Sequence, residues 1–353
     1  MKRRTLVLVL GFCLLVFAGG AALAAKPVIR VSGQPCLHGM PTWLAIEEKA
    51  DADKPFELQF MLFTSGAPQV EAMAADQWDV GAMGTIPCMM ASLRYGALLI
   101  GISNDESETN DIWVRPDSPL LKHKGANPKF PDLYGTAEDW KGKKILATTV
   151  STGHYALSAS LAALGLKDSD VKIVHMEQGQ ALAAFGAGEG DIIQLWAPSS
   201  YLAEAKGWVK VSSGRRAGAT VPGGIMVRKE FAEKHPDLVT AWLGIYMNYI
   251  HKMQADPQGN IEPLYKYFTE YCGLELNKEM VAQEFKLRPL FDVKEQVALL
   301  TDPGKAATWM RGVAQFLLNQ GRITQKEFDK YVQANCYIDA SFMKALEAKK
   351  AGQ

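Results

Sequence analysis

Residues 78–103 read WDVGAMGTIPCMMASLRYGALLIGIS, and their pattern decides the fold class of this chain. Residues 78–83 and 98–103 are short apolar runs that predict strands, and residues 86–95 between them predict a helix. Pro87 falls in the first turn of that helix, where a missing N–H costs no helical hydrogen bond. A strand, a helix and a second strand at this spacing indicate a parallel βαβ unit.

The same alternation continues on both sides of this unit. Before it lie predicted strands at 28–32 and 56–62 and predicted helices at 40–49 and 66–75. After a stretch rich in Pro and Gly at 117–137, a second block has strands at 144–150, 171–176, 191–196 and 208–212 and helices at 152–164, 181–186 and 199–205. A short strand at 223–228 follows, and the remainder is mostly helical, with helices at 231–253, 306–320 and 325–334.

Two strand–helix blocks joined by two short extended segments predict two α/β lobes with a ligand cleft between them. We expect 26–112 plus 226–353 to form lobe I, which includes a helical C-terminal tail, and 113–225 to form lobe II as an insertion. In open α/β sheets, ligands bind beyond the carboxyl ends of the strands, where helix N-termini point. The binding residues are therefore expected at the strand-to-helix junctions.

Length and composition fit this division. The chain has 353 residues, which favours two domains, and its 48% hydrophobic and 22% charged residues exclude global disorder. Lys and Arg total 38, as do Asp and Glu, so the charge gives no support for a nucleic-acid partner. A mean hydropathy of −0.06 argues against a multispan membrane protein. Five cysteines are too few for a disulfide scaffold.

The first 24 residues have the pattern of a cleaved secretory signal. A basic start at 2–4 (KRR) precedes an apolar run at 5–19, and 22–24 (ALA) supplies small residues for cleavage. The run is shorter than the about 20 residues that span a bilayer, and an uncleaved anchor is the alternative. Removal of 1–24 takes three basic and no acidic residues and leaves a slightly acidic chain. We expect a protein of the periplasm.

Four cysteines remain beyond this signal: Cys36, Cys88, Cys272 and Cys336. No pair has the C-x-x-C spacing of a zinc ribbon or a thioredoxin motif. Cys36 and Cys88 follow strands one and three, which are neighbours in a 2-1-3 strand order, so a disulfide between them is one expectation. Cys272 and Cys336 both lie in the tail and are the other possible pair. The alternative is that all four are buried free thiols.

Small and hydroxyl-bearing residues follow the predicted strands where helices begin. Such residues cap helices and leave backbone N–H groups open, and these groups together with the helix dipole bind an anion without a basic residue. Plain helix capping is the alternative at any one junction. Trp196, which ends a strand at the expected cleft edge, is a further candidate. The junction candidates are Gln34, His38, Ser65, Gly66, Gly84, Thr85, Ser151, Thr152 and Gly153.

The sequence offers little support for catalysis or for a bound metal or cofactor. His38, His154 and His175 have no short ligand spacing, so we expect no metal site. The run 186–190 (GAGEG) follows a helix and precedes a strand, which is the reverse of a nucleotide-binding loop. The polar run 104–111 suits a cation in principle, but we interpret it as a solvated hinge loop. We expect no catalytic residue and no cofactor.

Several stretches of the chain resemble one family of proteins. They are 151–157 (STGHYAL), 171–174 (VKIV), 195–198 (LWAP), 227–236 (VRKEFAEKHP) and the loops at 64–70 and 84–91. They resemble the family of taurine-, aliphatic-sulfonate- and nitrate-binding proteins, which are solute receptors of ABC importers. The resemblance implies the type II periplasmic-binding-protein fold, a small anionic ligand, an ABC permease in the inner membrane as partner, and a monomer.

The same resemblance places the ligand. It implies that a sulfonate lies on the helix start at Ser151 and Thr152, in the matched stretch that also holds His154. The junctions at Ser65 and Thr85 would complete the anion site, near Trp196.

The sequence departs from the family at two acids that suit a ligand ammonium. By the resemblance, these acids stand at the outgoing hinge and before the return strand, where this chain has Asn110 and Gly223. A buried ammonium without a carboxylate lacks a charged partner, so we expect a sulfonate without the amine. The acids that would serve instead, if their loop folds inward, are Asp105, Glu106, Glu108 and Asp111.

Two alternatives to an organosulfonate receptor stay open. One is a receptor for another small anion or zwitterion, such as nitrate or an amino acid. The other is an enzyme on the same scaffold, similar to the thiamine-pyrimidine synthases, which the predicted secretory signal disfavours because such an enzyme is expected in the cytosol.

Overall fold

The computed structural model describes residues 25–301 and 304–351 of the chain. The predicted secretory signal at 1–24 lies outside the described residues. Within the described ranges, no helix combines the length and the apolar character that crossing a membrane requires.

Two five-stranded sheets organise the described part of the chain. In chain order the strands are β1 (Val28–Gly33), β2 (Glu57–Leu62), β3 (Val80–Gly84), β4 (Leu98–Asp105), β5 (Asn110–Val114), β6 (Lys144–Ala147), β7 (Lys172–His175), β8 (Ile192–Trp196), β9 (Val209–Ser213) and β10 (Pro222–Val227). The first sheet has the order β2-β1-β3-β10-β4, and the second has the order β7-β6-β8-β5-β9. The predicted fold class, two α/β lobes, is confirmed.

One strand in each sheet comes from the crossing of the chain between lobes. β1 is parallel to β2 and β3, and β6 is parallel to β7 and β8, as βαβ units require. β5 follows β4 along the chain but pairs antiparallel with β8 and β9, and β10 pairs antiparallel with β3 and β4. We propose that the lobes divide at these two crossings, 106–109 and 214–221, rather than at 112 and 226.

The helices follow the same division. The first lobe contains α1 (Met40–Glu47), α2 (Gly66–Ala74) and α3 (Thr85–Tyr95), and the second contains α4 (Ala137–Trp140), α5 (Thr152–Ala163), α6 (Gln178–Gly186) and α7 (Ser199–Ala205). The tail after β10 contains α8 (Lys229–Lys234), α9 (Pro236–Ala255), α10 (Ile261–Lys266), α11 (Lys278–Leu287), α12 (Val293–Leu300), α13 (Lys305–Asn319), α14 (Gln325–Gln333) and α15 (Ser341–Ala351).

The tail packs on the first lobe and shares its hydrophobic core. Two buried tyrosines of the tail also fix the segment that follows β1. The hydroxyl of Tyr246 donates to the backbone carbonyl of His38 at 3.0 Å, and that of Tyr267 donates to the carbonyl of Gln34 at 2.6 Å. The tail therefore positions two of the residues that the sequence proposed for binding.

The single helix predicted at 231–253 is wrong in one respect. The structure has two helices, because α8 ends at Lys234 and α9 begins at Pro236. His235 between them has φ −134° and ψ 50°, outside the helical region. A proline disfavours helical backbone in the residue before it, and this explains the break.

The interpretation of 104–111 as a solvated hinge loop is also wrong. Asn104, Thr109 and Asn110 are at most 1% exposed, and Glu106 is 4% exposed. The backbone N–H of Glu106 donates to the carbonyl of Val221 at 2.7 Å, so the two crossing segments lie side by side. Because the tail covers them, this polar run folds inward.

Both expected disulfides are wrong, since all four described cysteines are free thiols. The sulfur of Cys36 lies 3.7 Å from the carbonyl oxygen of Ala197, and that of Cys88 lies 3.4 Å from the carbonyl oxygen of Met83. Cys336 contacts a different carbonyl, that of Ala307, at 3.8 Å. Each of these thiols therefore packs against backbone and not against another sulfur.

A thiol titration checks this assignment. We expect a chain that begins at Ala25, purified without reductant, to give four free thiols in denaturant. In the native state reaction should be slow, because burial raises the pKa of each thiol and so removes the reactive thiolate. Two free thiols or none in denaturant would contradict the structure.

Candidate functional site

A cavity of about 20 Å³ lies where the strand ends of the two lobes meet. One water needs about 10–15 Å³, so the cavity suits a small polar group. Eight of the thirteen candidates from the sequence line it, together with four other residues. The complete lining is Gln34, Cys36, His38, Gly66, Gly84, Pro87, Glu106, Asn110, Ser151, Thr152, Trp196 and Arg288.

The second lobe contributes the start of α5. Ser151 is its N-cap, and its hydroxyl accepts from the N–H of His154 at 3.1 Å and donates to the carbonyl of Thr148 at 2.7 Å. The hydroxyl of Thr152, one residue later, is buried and has no hydrogen-bond partner among the described residues. Ser151 is therefore occupied by capping, whereas Thr152 has a hydroxyl free to bind.

The first lobe contributes the start of α3, which lies against the start of α5. Gly84 is the N-cap of α3, and a Cβ on it would overlap the hydroxyl of Thr152. Gly66, at the start of α2, is similarly close to the ring of Pro87. Gly84 lets the starts of α3 and α5 approach each other across the cleft, and Gly66 lets the start of α2 approach α3 within the first lobe. Helix starts attract anions.

The tail contributes a buried cation, Arg288, at the end of α11. Its Nε donates to the hydroxyl of Thr109 at 2.9 Å, and its Nη2 donates to the carbonyl of Ala197 in the second lobe at 2.9 Å. It pairs with two carboxylates, Glu284 at 3.3 Å and Glu106 at 3.8 Å. Its Nη1 is buried and makes no hydrogen bond within the described chain. Arg288 thus joins the tail, the hinge and the second lobe.

Burial controls the protonation of these groups. Burial by itself would lower the pKa of Arg288, but the charges of Glu284 and Glu106 outweigh it and raise that pKa, so the guanidinium stays charged. Burial raises the pKa of both Glu106 and Glu284, and the charge of Arg288 partly offsets this. Burial and the Arg288 charge lower the pKa of His38 to about 3, so its imidazole is neutral at neutral pH.

Five candidates from the sequence do not line this cavity. Ser65 donates to Glu177 of the second lobe at 3.4 Å, and the hydroxyl of Thr85 donates to the carbonyl of Pro222. Both hydroxyls therefore donate hydrogen bonds within the protein.

The remaining three candidates lie around the cavity. Gly153 packs against the amide of Gln194, and Gly223 stands beside Glu106. The Nε2 atom of His154 lies 2.9 Å from a carboxylate oxygen of Asp168, beside a second and larger cavity.

We expected an anion site without a basic residue, whereas Arg288 lines this candidate cavity. Sequence reasoning missed it because Glu284 and Arg288 stand four residues apart on a helix, the spacing of an ordinary exposed ion pair. Glu106 was named only as a conditional substitute, and the structure places it in the lining. Cys36 and Pro87 were also missed, and their residue types carry no signal for an anion site.

Metal or thiol chemistry has no support at this cavity. Within residues 25–301 and 304–351, no group of three or more His, Cys, Asp or Glu side chains is arranged to hold a metal ion. Burial raises the pKa of Cys36 far above its ordinary value, so its sulfur stays a protonated thiol. A protonated thiol is a weak nucleophile, and the arrangement suits binding better than catalysis.

Solved structures with a similar fold place the chain in a class. The alkanesulfonate-binding protein SsuA from Xanthomonas axonopodis pv. citri, solved with MOPS bound, superimposes with a TM-score of 0.70 at 21% identity, over 86% of this chain and 96% of that one. A desulfurization enzyme, DSZB, also superimposes, with a TM-score of 0.59 at 15% identity, over 92% of this chain and all of that one. Two lobes with a ligand cavity between them define the fold class of periplasmic solute-binding proteins.

Within that class, the chain belongs to the NMT1-like family, whose model matches residues 25–261. A putative ABC transporter periplasmic binding protein of Brachyspira hyodysenteriae is 28% identical over 345 residues, which cover 96% of this chain and 97% of that protein. The taurine-binding periplasmic protein of Escherichia coli is 28% identical over 280 residues, which cover 76% of this chain and 80% of that protein. The resemblance found in the sequence is confirmed.

The role of Arg288 in the fold can be tested by unfolding in urea. We expect Arg288→Met to lower the free energy of unfolding by about 3–5 kcal/mol, because it leaves buried carboxylates without their cation. The double variant Arg288→Met/Glu284→Leu should recover part of that loss, since it removes one of the stranded charges. Equal stability of Arg288→Met and the parent protein would show that the ion pairs are not needed.

Proposed function

We propose that this chain is an extracytoplasmic solute-binding protein that delivers a small organosulfonate to an ABC importer. The sulfonate binds in the cavity between the lobes, and the closed receptor passes it to a permease in the inner membrane. The chain reaches the periplasm through a cleaved signal at 1–24 and acts as a monomer. The names of the relatives and the buried chemistry of the cavity support this proposal.

One observation carries the choice of ligand: three residues of the lining hold buried polar atoms with no hydrogen-bond partner in the described part of the chain. They are the Nδ1 of His38, the hydroxyl of Thr152 and the Nη1 of Arg288. Unpaired buried polar groups cost free energy, so a ligand that pairs them gains affinity. The Thr152 hydroxyl and the Arg288 Nη1 are donors from the second lobe and the tail, and His38 in its Nδ1–H tautomer adds a third donor from the first lobe. This set suits a group with three acceptor oxygens.

A sulfonate is such a group, and its charge complements the site. It accepts from three directions at once, whereas a carboxylate has only two oxygens. Arg288 supplies the opposite charge, and the starts of α3 and α5 add favourable partial charges. Nitrate also has three oxygens and is the alternative anion, without an organic part.

Glu106 changes the expectation for a ligand amine. The sequence favoured a sulfonate without an amine because Asn110 and Gly223 replace two acids of the family. The structure places the carboxylate of Glu106 in the cavity lining, beside Gly223. A taurine-like aminosulfonate then has a charged partner for each end, Arg288 for the sulfonate and Glu106 for the ammonium. Arg288 alone faces two carboxylates, Glu106 and Glu284, and the ammonium would supply the second positive charge.

The variant Thr152→Val tests the anion site by calorimetry with ethanesulfonate, taurine, nitrate and an amino acid. It keeps the shape of the side chain and removes the hydroxyl. A hydrogen bond to a charged group contributes about 1.5–3 kcal/mol, so the Kd for the bound sulfonate should rise about tenfold to a hundredfold. Stability should change little, because this hydroxyl has no partner in the protein.

Ser151→Ala is the matched control at the neighbouring residue. Its hydroxyl caps α5, so we expect a loss of about 1 kcal/mol in stability and a smaller effect on Kd. If Thr152→Val binds sulfonate as tightly as the parent, the anion lies elsewhere. If nitrate or the amino acid binds and neither sulfonate does, the ligand class is wrong.

Glu106→Gln tests the place of the amine. If the carboxylate pairs with the ammonium, this variant should weaken taurine binding by about tenfold more than it weakens ethanesulfonate binding, because only taurine loses an ionic partner. Calorimetry with both ligands on both proteins gives the ratio. An unchanged ratio would mean that the ammonium does not contact Glu106.

A further inference from the structure

The start of α5 is held by side chains that lie outside the proposed anion site. His154, two residues after Thr152, is buried, and its Nδ1 accepts the backbone N–H of Val150 at 3.2 Å. In the neutral ring the proton is then on Nε2, which faces a carboxylate oxygen of Asp168 at 2.9 Å. The turn before α5 is therefore linked to Asp168.

Asp168 accepts hydrogen bonds from both sides of the boundary between the second lobe and the tail. Ser158 of α5 donates to one of its oxygens at 2.7 Å, and the Nη2 of Arg322 donates to the other at 3.0 Å. Arg322 lies in the tail, between α13 and α14. Because the tail packs on the first lobe, this carboxylate joins the two lobes at a place well away from the hinge.

The ion pair is asymmetric in its exposure. The side chain of Asp168 is 12% exposed, whereas that of Arg322 is 47% exposed. Burial by itself would raise the pKa of this carboxyl, but hydrogen bonds from His154, Ser158 and Arg322 outweigh it and lower that pKa to about 2. The carboxylate is therefore charged and fixed by its own lobe before the tail reaches it.

An apolar contact crosses the same boundary. The rings of Tyr155 on α5 and Phe316 on α13 meet edge to face, with centroids 5.0 Å apart at 66°. Tyr155 belongs to a buried cluster with Ile86 of α3 and Val313 of α13. Apolar packing thus aligns α5 with the tail, and the ion pair adds a contact at the edge of this packing.

We propose that Asp168 and Arg322 form a closing contact, an ion pair that holds the two lobes together and slows ligand release without touching the ligand. Neither residue lines the small cavity. They are positioning residues that act through α5, whose first residue, Thr152, does line it. Both partners are groups of the protein, so the contact needs no ligand, and any movement that parts α5 from the tail breaks it.

The expected size of the effect is modest. Ion pairs with an exposed partner change an equilibrium by about twofold to fivefold, and salt weakens them. Because the carboxylate is already held by its own lobe, forming the pair orders only the Arg322 side chain. We therefore expect the ratio of closed to open protein to fall by about twofold to fivefold when the pair is lost.

Small-angle X-ray scattering of a chain that begins at Ala25 tests the contact in ligand-free protein. At low ionic strength we expect the parent protein to populate the closed arrangement. Arg322→Gln should shift the curve toward a larger radius of gyration. In 1 M salt the Debye length is about 3 Å, so the two proteins should become similar.

Release of taurine or ethanesulfonate, measured by stopped-flow tryptophan fluorescence, tests the effect on the ligand. This measurement rests on the proposed function, and Trp196 in the cavity lining supplies the signal. Arg322→Gln should speed release by about twofold to fivefold, and Arg322→Lys, which keeps the charge, should recover part of the change. In an Asp168→Asn background the substitution of Arg322 should have no further effect.

Lys252→Gln is the matched control, because it breaks an ion pair of similar geometry within one lobe. Lys252 lies 2.9 Å from Glu48, its side chain is 45% exposed, and both residues belong to the first lobe with its tail. Loss of this pair leaves the boundary between the lobes unchanged. The scattering curve and the release rate of Lys252→Gln should therefore equal those of the parent protein.

The outcomes separate this inference from the proposed function. If Arg322→Gln equals Lys252→Gln in both measurements, or if the ligand-free parent is fully open at low salt, the closing contact is refuted. Where a sulfonate binds, a change in only one measurement, or an undiminished effect in the Asp168→Asn background, also overturns it. If neither sulfonate binds, the proposed function fails, and scattering alone decides on the contact.

Discussion

Arg288 is a fully buried cation, and the arrangement of the lobes around it follows from the need to balance its charge. An unpaired charge in a protein interior costs several kcal/mol, so it must find carboxylates and carbonyls. Its own helix supplies Glu284, the hinge supplies Glu106 and Thr109, and the second lobe supplies the carbonyl of Ala197. These partners meet only when the tail, the hinge and both lobes are in place together.

The proposed anion site depends on a second constraint, the close approach of helix starts within the first lobe and between the two lobes. Backbone N–H groups at a helix start are useful to a ligand only if side chains do not fill the space before them. Gly84 and Gly66 have no side chain, and a Cβ would overlap Thr152 of the second lobe at Gly84 and Pro87 of the first lobe at Gly66. Gly84 therefore lines the proposed site and also allows the contact between the two lobes.

Two cavities of different character adjoin Ser151. On one side, buried polar side chains and a guanidinium surround a space of about 20 Å³. On the other side, a space of about 220 Å³ is lined by apolar side chains, such as Ile86 and Phe316, and by charged ones, such as Asp168 and Arg322. In the small cavity, hydrogen bonds to a charged group would fix the orientation of a ligand.

By itself, the sequence determined the two-lobe α/β fold and most of the cavity lining, because strand–helix alternation and helix capping are local patterns. The tertiary structure alone decided the rest. Glu284 and Arg288 look like an exposed pair until the tail folds over the hinge, the polar run 104–111 looks solvated until it is covered, and the cysteines look pairable until their distances are fixed. Each of these features depends on contacts between segments far apart in the chain. Such contacts produce no periodic pattern in the local sequence, so the sequence alone does not predict them.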